Sequence, residues 1–90
     1  MKRAVITVVG KDSVGIIAKV CTYLAEKSIN ILDISQTIVG GFFNMMMIVD
    51  VTDFDDTYQE MSEGLEAIGG DINCTVKIQR EEIFNQMSRL

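Results

Sequence analysis

Ninety residues, 48% of them hydrophobic, with 8 Lys+Arg against 13 Asp+Glu for a net charge of −5, describe one small acidic domain. The acidic balance leaves no basic footprint for nucleic acid and opposes attraction to an anionic membrane surface. The chain has no histidine, which removes Ser-His and Cys-His nucleophile pairs.

A chain of this length buries only about 60–65% of its unfolded surface. Against that, a mean hydropathy of +0.24 is high, so part of the apolar surface is expected to be covered by a partner. No apolar run reaches the roughly 18–20 residues of a membrane-spanning helix. Met1-Lys2-Arg3 leads only into the short apolar run Ala4 to Val9, too brief for a signal peptide. A cytoplasmic protein is expected. Cys21 and Cys74 each fall on an apolar periodicity and read as reduced thiols in the core. Two thiolates without a CxxC fall short of a zinc set. No metal, cofactor or catalytic residue is therefore expected.

In chain order, residues 4–9 (Ala-Val-Ile-Thr-Val-Val) are β-branched and apolar on both sides of the alternation, as in a central strand. Ser13 to Lys27 carries Ile17, Val20, Cys21 and Leu24 at helical spacing, with Asp12 or Ser13 as its cap. Asn30 to Val39 and Phe42 to Val51 are two β-rich runs joined by Gly40-Gly41, a hairpin signal. In the second run Phe43, Met45, Met47, Val49 and Val51 form one apolar row. Phe42, Met46 and Ile48 add apolar residues to the opposite row. Asp53, Asp55 and Asp56 then open a second helix, one as cap and the others against its dipole. Its buried stripe is Tyr58, Met61, Leu65 and Ile68, and Gly69-Gly70 ends it. Ile72, Cys74, Val76 and Ile78 alternate with Asn73, Thr75, Lys77 and Gln79, a strand with one wet face. Glu81 to Leu90 places Ile83, Phe84, Met87 and Leu90 on one side of a short amphipathic helix.

The order strand-helix-strand-strand-helix-strand predicts an α+β ferredoxin-like βαββαβ sandwich. Its four-stranded antiparallel sheet carries both helices on one face, and a short C-terminal helix is appended. The domain is expected over 1–80 and the amphipathic tail over 81–90. Phe42, Met46 and Ile48 then lie on the helix-free face. A second copy of the chain is the first candidate to cover them, and the C-terminal helix the second.

Function rests on the first loop, because this fold hosts many activities. Gly10-x-Asp12-x-x-Gly15-Ile16, then a helix, then Asn30-Ile31 with Asp33 and Ile34, resembles the ACT domain. The resemblance covers residues 3–80. The aspartate in the loop makes it similar to the ACT domains of glycine-cleavage transcriptional repressors and to small stand-alone ACT proteins. Val14 stands where many members carry proline, and Gly10 where amino-acid binders can carry a polar side chain.

The resemblance implies a non-enzymatic regulatory module that binds a small ligand, often an amino acid, as a homodimer. It implies a ligand held between the first loop of one domain and the start of the second strand of its neighbour. On this chain those positions are Asp12, Ser13, Val14, Gly15 and Ile16 on one side and Asn30, Ile31 and Leu32 on the other. Backbone N–H groups at Val14, Gly15 and Ile16 can receive a carboxylate. Asp12 can pair with an ammonium, and Asn30 can both donate and accept. Plainer roles stay open: Asp12 and Ser13 as caps, Asn30 in a turn before the strand, Gly15 in helix–strand packing.

A second reading is a protein–protein interaction module with a vestigial pocket, acting on a separate enzyme or transcription factor, with the tail as its motive. Enzymes of this architecture lack their residues here. The loop has Lys11 but no arginine for an acylphosphatase and no Lys-Ser/Thr ending of a nucleotide loop.

Overall fold

The computed structural model describes residues 1–11 and 14–83. The order is β1 (Arg3–Gly10), α1 (Val14–Glu26), β2 (Asn30–Val39), β3 (Phe42–Asp50), α2 (Tyr58–Asp71) and β4 (Thr75–Arg80). The four strands form one sheet in the order β2-β3-β1-β4, with every neighbouring pair antiparallel. This is the expected βαββαβ sandwich with β1 and β3 in the middle. Residues 81–83 turn helical after β4. The rest of the expected tail helix lies outside the described residues.

Alternation sorts each strand into two rows. Ala4, Ile6 and Val8 of β1, Phe43, Met45, Met47 and Val49 of β3, and Val76 and Ile78 of β4 are buried on the inner face. The helices meet them with narrow stripes. α1 contributes Ile16, Val20 and Leu24, and α2 contributes Met61, Leu65 and Gly69. Each set is spaced by four, one row along the helix axis. Cys21, Tyr58 and Ile68, expected in the stripes, pack at their margins, half-buried.

Neither helix stripe reaches β2. Its inward positions Ile34 and Ile38 pair in register with Met47 and Phe43, yet they are 46% and 73% exposed. β2 is thus an edge strand open along nearly its whole length on both faces.

The helix ends differ from expectation. α2 is preceded by Thr57, which makes no side-chain capping bond. The aspartates expected to cap it lie farther out, and Asp55 is engaged by Lys2 and Arg80 instead. Gly69 and Gly70 do not end α2, which runs on to Asp71. Asn73, at φ 56°, supplies the left-handed residue, and the Cys74 N–H donates to the Gly69 carbonyl at 2.8 Å. α1 ends the same way: Ser28 sits at φ 58°, and Ile29 and Ser28 donate to the carbonyls of Leu24 and Ala25. That pair of bonds is a Schellman motif without a glycine. The fourth strand starts at Thr75, so Ile72 and Cys74 belong to the lead-in. The hairpin Gly40-Gly41 is as expected. Both residues have positive φ (58° and 82°), the geometry of a two-residue turn matched to strand twist.

Gly69 lies under the β4 lead-in. A Cβ there would stand 2.7 Å from the Cys74 carbonyl oxygen and 2.9 Å from a Val76 methyl. Gly70, the next residue, faces open space. The two positions therefore respond to alanine with opposite sign. Gly70→Ala should stabilise by about 0.5–1 kcal/mol through chain entropy. Gly69→Ala should destabilise by about 1–3 kcal/mol through overpacking. Urea denaturation of the two variants checks the signs; equal shifts in the same direction would refute the packing role of Gly69.

Candidate functional site

The first loop leaves the sheet at Gly10, which pairs with Phe43 of the central strand β3. A Cβ at Gly10 would stand 2.2 Å from the Sγ and 3.0 Å from the Cβ of Cys74. The space that a polar side chain would take is thus filled by Cys74, half-buried at the head of β4, and the close approach requires glycine. Lys11 is exposed and sets its ammonium 5.7 Å from the centre of the Phe42 ring, a cation–π contact that ties the loop to the hairpin.

Asp12 and Ser13, the two side chains expected to meet a ligand, lie outside the described residues. Val14 opens α1. Gly15 is exposed, and a Cβ there would meet nothing within 4 Å. Helix–strand packing therefore does not explain Gly15. Ile16 turns inward and is fully buried. Of this trio, Ile16 offers only its backbone N–H to the loop, one of the first-turn donors that lack a helical partner.

The second half of the expected site lies elsewhere. Asn30 opens β2 in the strand itself, exposed and paired with Asp50; the tight turn is at Ser28. Ile31 is half-buried and pairs with Val49. The register shifts between Ile31 and Asp33, so Leu32 is the extra residue of a β-bulge, raised out of the ladder and exposed. Sequence alternation gives no sign of that bulge. Only the count of residues against β3 reveals it.

The sheet register separates the halves. Asn30, Asp50 and Arg3 form one row across the strands, and Gly10, Phe43 and Ile38 another. Seven residues of extended strand, about 23 Å, lie between the rows. One chain alone does not bring Asn30, Ile31 and Leu32 to the loop that carries Gly15.

Among the described residues, the ion pairs gather at the Asn30 end. The Asp50 carboxylate accepts from the Thr52 N–H at 2.9 Å and from its hydroxyl, which hold the acid below the usual carboxylate range. Asp55 accepts from Lys2, and from Arg80 at 3.2 Å, and is lowered by both. Arg80 also lies 4.2 Å from the centre of the Tyr58 ring. Burial pushes that phenol up, and among the described residues its hydroxyl has no hydrogen-bond partner. Arg3 grips Glu81 through Nε at 2.8 Å and Nη2 at 2.9 Å. These contacts clasp the start of β1, the loop before α2 and the residue after β4.

Among the described residues, no group of three or more metal-ligating side chains is assembled, and no helix is long and apolar enough to cross a membrane.

The clasp predicts a pH signature. Because Asp55 titrates lower in the folded chain than its ordinary 3.8, its contribution is present above that value. It is lost as pH falls through the folded value. Asp55→Asn should be destabilised relative to the parent at neutral pH, and the gap should close as both are acidified below pH ~3. Thermal melts of both proteins from pH 7 to 2.5 check this; a gap that persists in acid would show that packing, not charge, carries the contact.

Four known matches bear on the chain. Residues 2–79 match the ACT domain family. The chain is 56% identical, over the full length of both proteins, to a UPF0237 protein of Bifidobacterium longum. Its fold superposes on an ACT domain protein from Streptococcus pneumoniae with a TM-score of 0.80 and 41% identity, covering 92% of this chain and 93% of that one. It also superposes on a putative glycine cleavage system transcriptional repressor, with a TM-score of 0.72 and 25% identity. That match spans 88% of this chain and 45% of the other.

Proposed function

The chain belongs to the ACT domain family, and from that premise we propose that it is a non-enzymatic regulatory module whose homodimer binds a small ligand, an amino acid, between its subunits. The observation that carries the proposal is the separation of the two half-sites. The loop with Gly15 and the bulge at Leu32 stand at opposite ends of the sheet. An antiparallel pairing of two β2 edges, about a two-fold axis near Ser35, reverses that separation. Asn30, Ile31 and Leu32 of the partner subunit then come to the end of the sheet that holds Gly10 and Lys11.

β2 suits such pairing. It is ten residues long, lies at the sheet edge and is uncovered on both faces. Its one charge, Asp33, falls opposite Thr37 of the partner subunit in that register, so no like charges meet. Gly15 suits it too: the open space at its Cα is space for a ligand or a second chain. The first-turn N–H groups of α1 receive the ligand carboxylate, Asp12 pairs with its ammonium, and Asn30 of the partner subunit donates and accepts. Ser13 and Val14 border the carboxylate from the loop, and Ile31 and Leu32 line the strand side.

Such a ligand favours the paired state by its differential affinity for that state, and pairing raises ligand affinity by the same factor. Output passes to a separate enzyme or transcription factor, in the cytoplasm. A pocket that has lost its ligand would leave an interaction module. The exposed hairpin tip, with Ile38, Val39 and Phe42, favours that second reading.

Subunit complementation separates these readings. Gly15→Leu and Asn30→Ala should each fold, since both positions are exposed, and each should abolish binding in calorimetry against the common amino acids. Mixed and allowed to exchange subunits, the two variants should recover one site per heterodimer. No heat from the parent with any amino acid overturns the amino-acid reading. Loss in each variant without recovery in the mixture places the site within one chain.

A further inference from the structure

We infer that the protein holds a small neutral aromatic ring of the phenol type in a cavity between the end of α1 and the start of α2. The site lies apart from the first loop and from β2, and it stands whether or not an amino acid binds there.

The cavity has a volume of about 140 Å³ and is lined by Tyr23, Lys27, Phe54, Thr57, Glu60 and Met61. Its walls are pinned from several sides. The Tyr23 ring is lodged against α2 at Gly64, where a Cβ would stand 2.4 Å from the ring's hydroxyl and 2.8 Å from its Cζ. Phe54 sits between two turns. Its N–H donates to the Val51 carbonyl at 3.1 Å, and its carbonyl accepts from the Thr57 N–H at 3.3 Å. Met61 is 3% exposed and belongs to the core. Walls held in this way keep the space preformed, which lowers the cost of filling it.

Size and lining select the guest. An apolar protein cavity of about 150 Å³ takes one benzene, so a single six-membered ring fills this one. A free amino acid, with a charged backbone added to its side chain, is too large. Tyr23 and Phe54 favour an aromatic guest, because ring pairs gain beyond the area they bury. The Lys27 ammonium stands 5.7 Å from the centre of the Tyr23 ring, and a ring lying beside Tyr23 offers that ammonium a second π face. Charge then selects a neutral molecule. Lys27 opposes a cation and Glu60 an anion, and among the described residues neither forms an ion pair. One polar group has a place. Thr57 precedes α2 without making a side-chain capping bond, so its hydroxyl, with the Glu60 carboxylate, is left to receive a phenolic O–H.

Phenol and cyclohexanol, alike in size and polar group, test this on the full chain carrying carbon-13 methionine methyls. Phenol should drive a saturable shift of the Met61 methyl and show NOEs to it. The methyls of Met45, Met46 and Met47 in the sheet should stay where they are. Cyclohexanol should bind roughly ten-fold more weakly, the combined effect of ring pairing and the cation–π contact. Lys27→Ala, at an exposed position, should weaken phenol about three-fold and leave cyclohexanol unchanged. A Met61 methyl that phenol does not move overturns the inference. So do shifts led by the sheet methionines, or equal affinity for the two probes.

Discussion

The narrow stripe that each helix gives to the core is the constraint on which the rest of this structure depends. Ile16, Val20 and Leu24 form one row, and Met61, Leu65 and Gly69 another. These two rows fill the inner face over β1, β3 and β4. They are close-packed there. The Cβ absent at Gly69 is what lets α2 lie against the β4 lead-in, and at Gly64 a Cβ would stand 2.4 Å from the Tyr23 hydroxyl. Interiors at this density tolerate neither added methyl groups nor lateral sliding. The helix layer has no spare apolar row to offer β2.

Two consequences follow from that shortage. The ten residues of β2 keep both faces and one backbone edge open, a condition that isolated proteins relieve with charges or prolines on the strand. Here one aspartate and no proline stand on it. The second consequence concerns the outer face, where Val5 and Val9 of β1 and Phe42, Met46 and Ile48 of β3 stand among Arg3, Thr7, Asn44 and Asp50. On that face Val5 is buried, while Val9 and Phe42 are exposed. Surface apolar area thus collects at the β2 edge and the hairpin tip, and association through the edge is the economical way to remove it from water.

Most of the fold was legible because alternation and helical spacing are local signals. β2 has the predicted bounds, and β3 and α1 each end one residue earlier than expected, at Asp50 and Glu26. The start and end of α2 were not legible, for physical reasons. Three aspartates ahead of a helix look like caps, but Asp55 answers to Lys2 and Arg80, which lie 53 and 25 residues away in sequence. Gly69-Gly70 looks like a stop, but Gly69 is small for packing, and the left-handed turn falls on Asn73. The bulge at Leu32 is likewise a relation between two strands and leaves no mark on one of them.

The candidate site was legible as a set of residues and not as an arrangement. Gly10 and Gly15 look alike in the loop pattern, and the structure gives them opposite surroundings. Gly10 is crowded by Cys74 from within its own chain, so its requirement for glycine is complete in the monomer. Gly15 has nothing within 4 Å of the side chain it lacks, so the monomer places no demand on it. Among the described residues, nothing gives a packing reason for glycine there. The raised and exposed segment at Leu32 stands about 18 Å along the sheet from the row of Gly10. Within one chain the sheet register holds Gly15 and Leu32 apart.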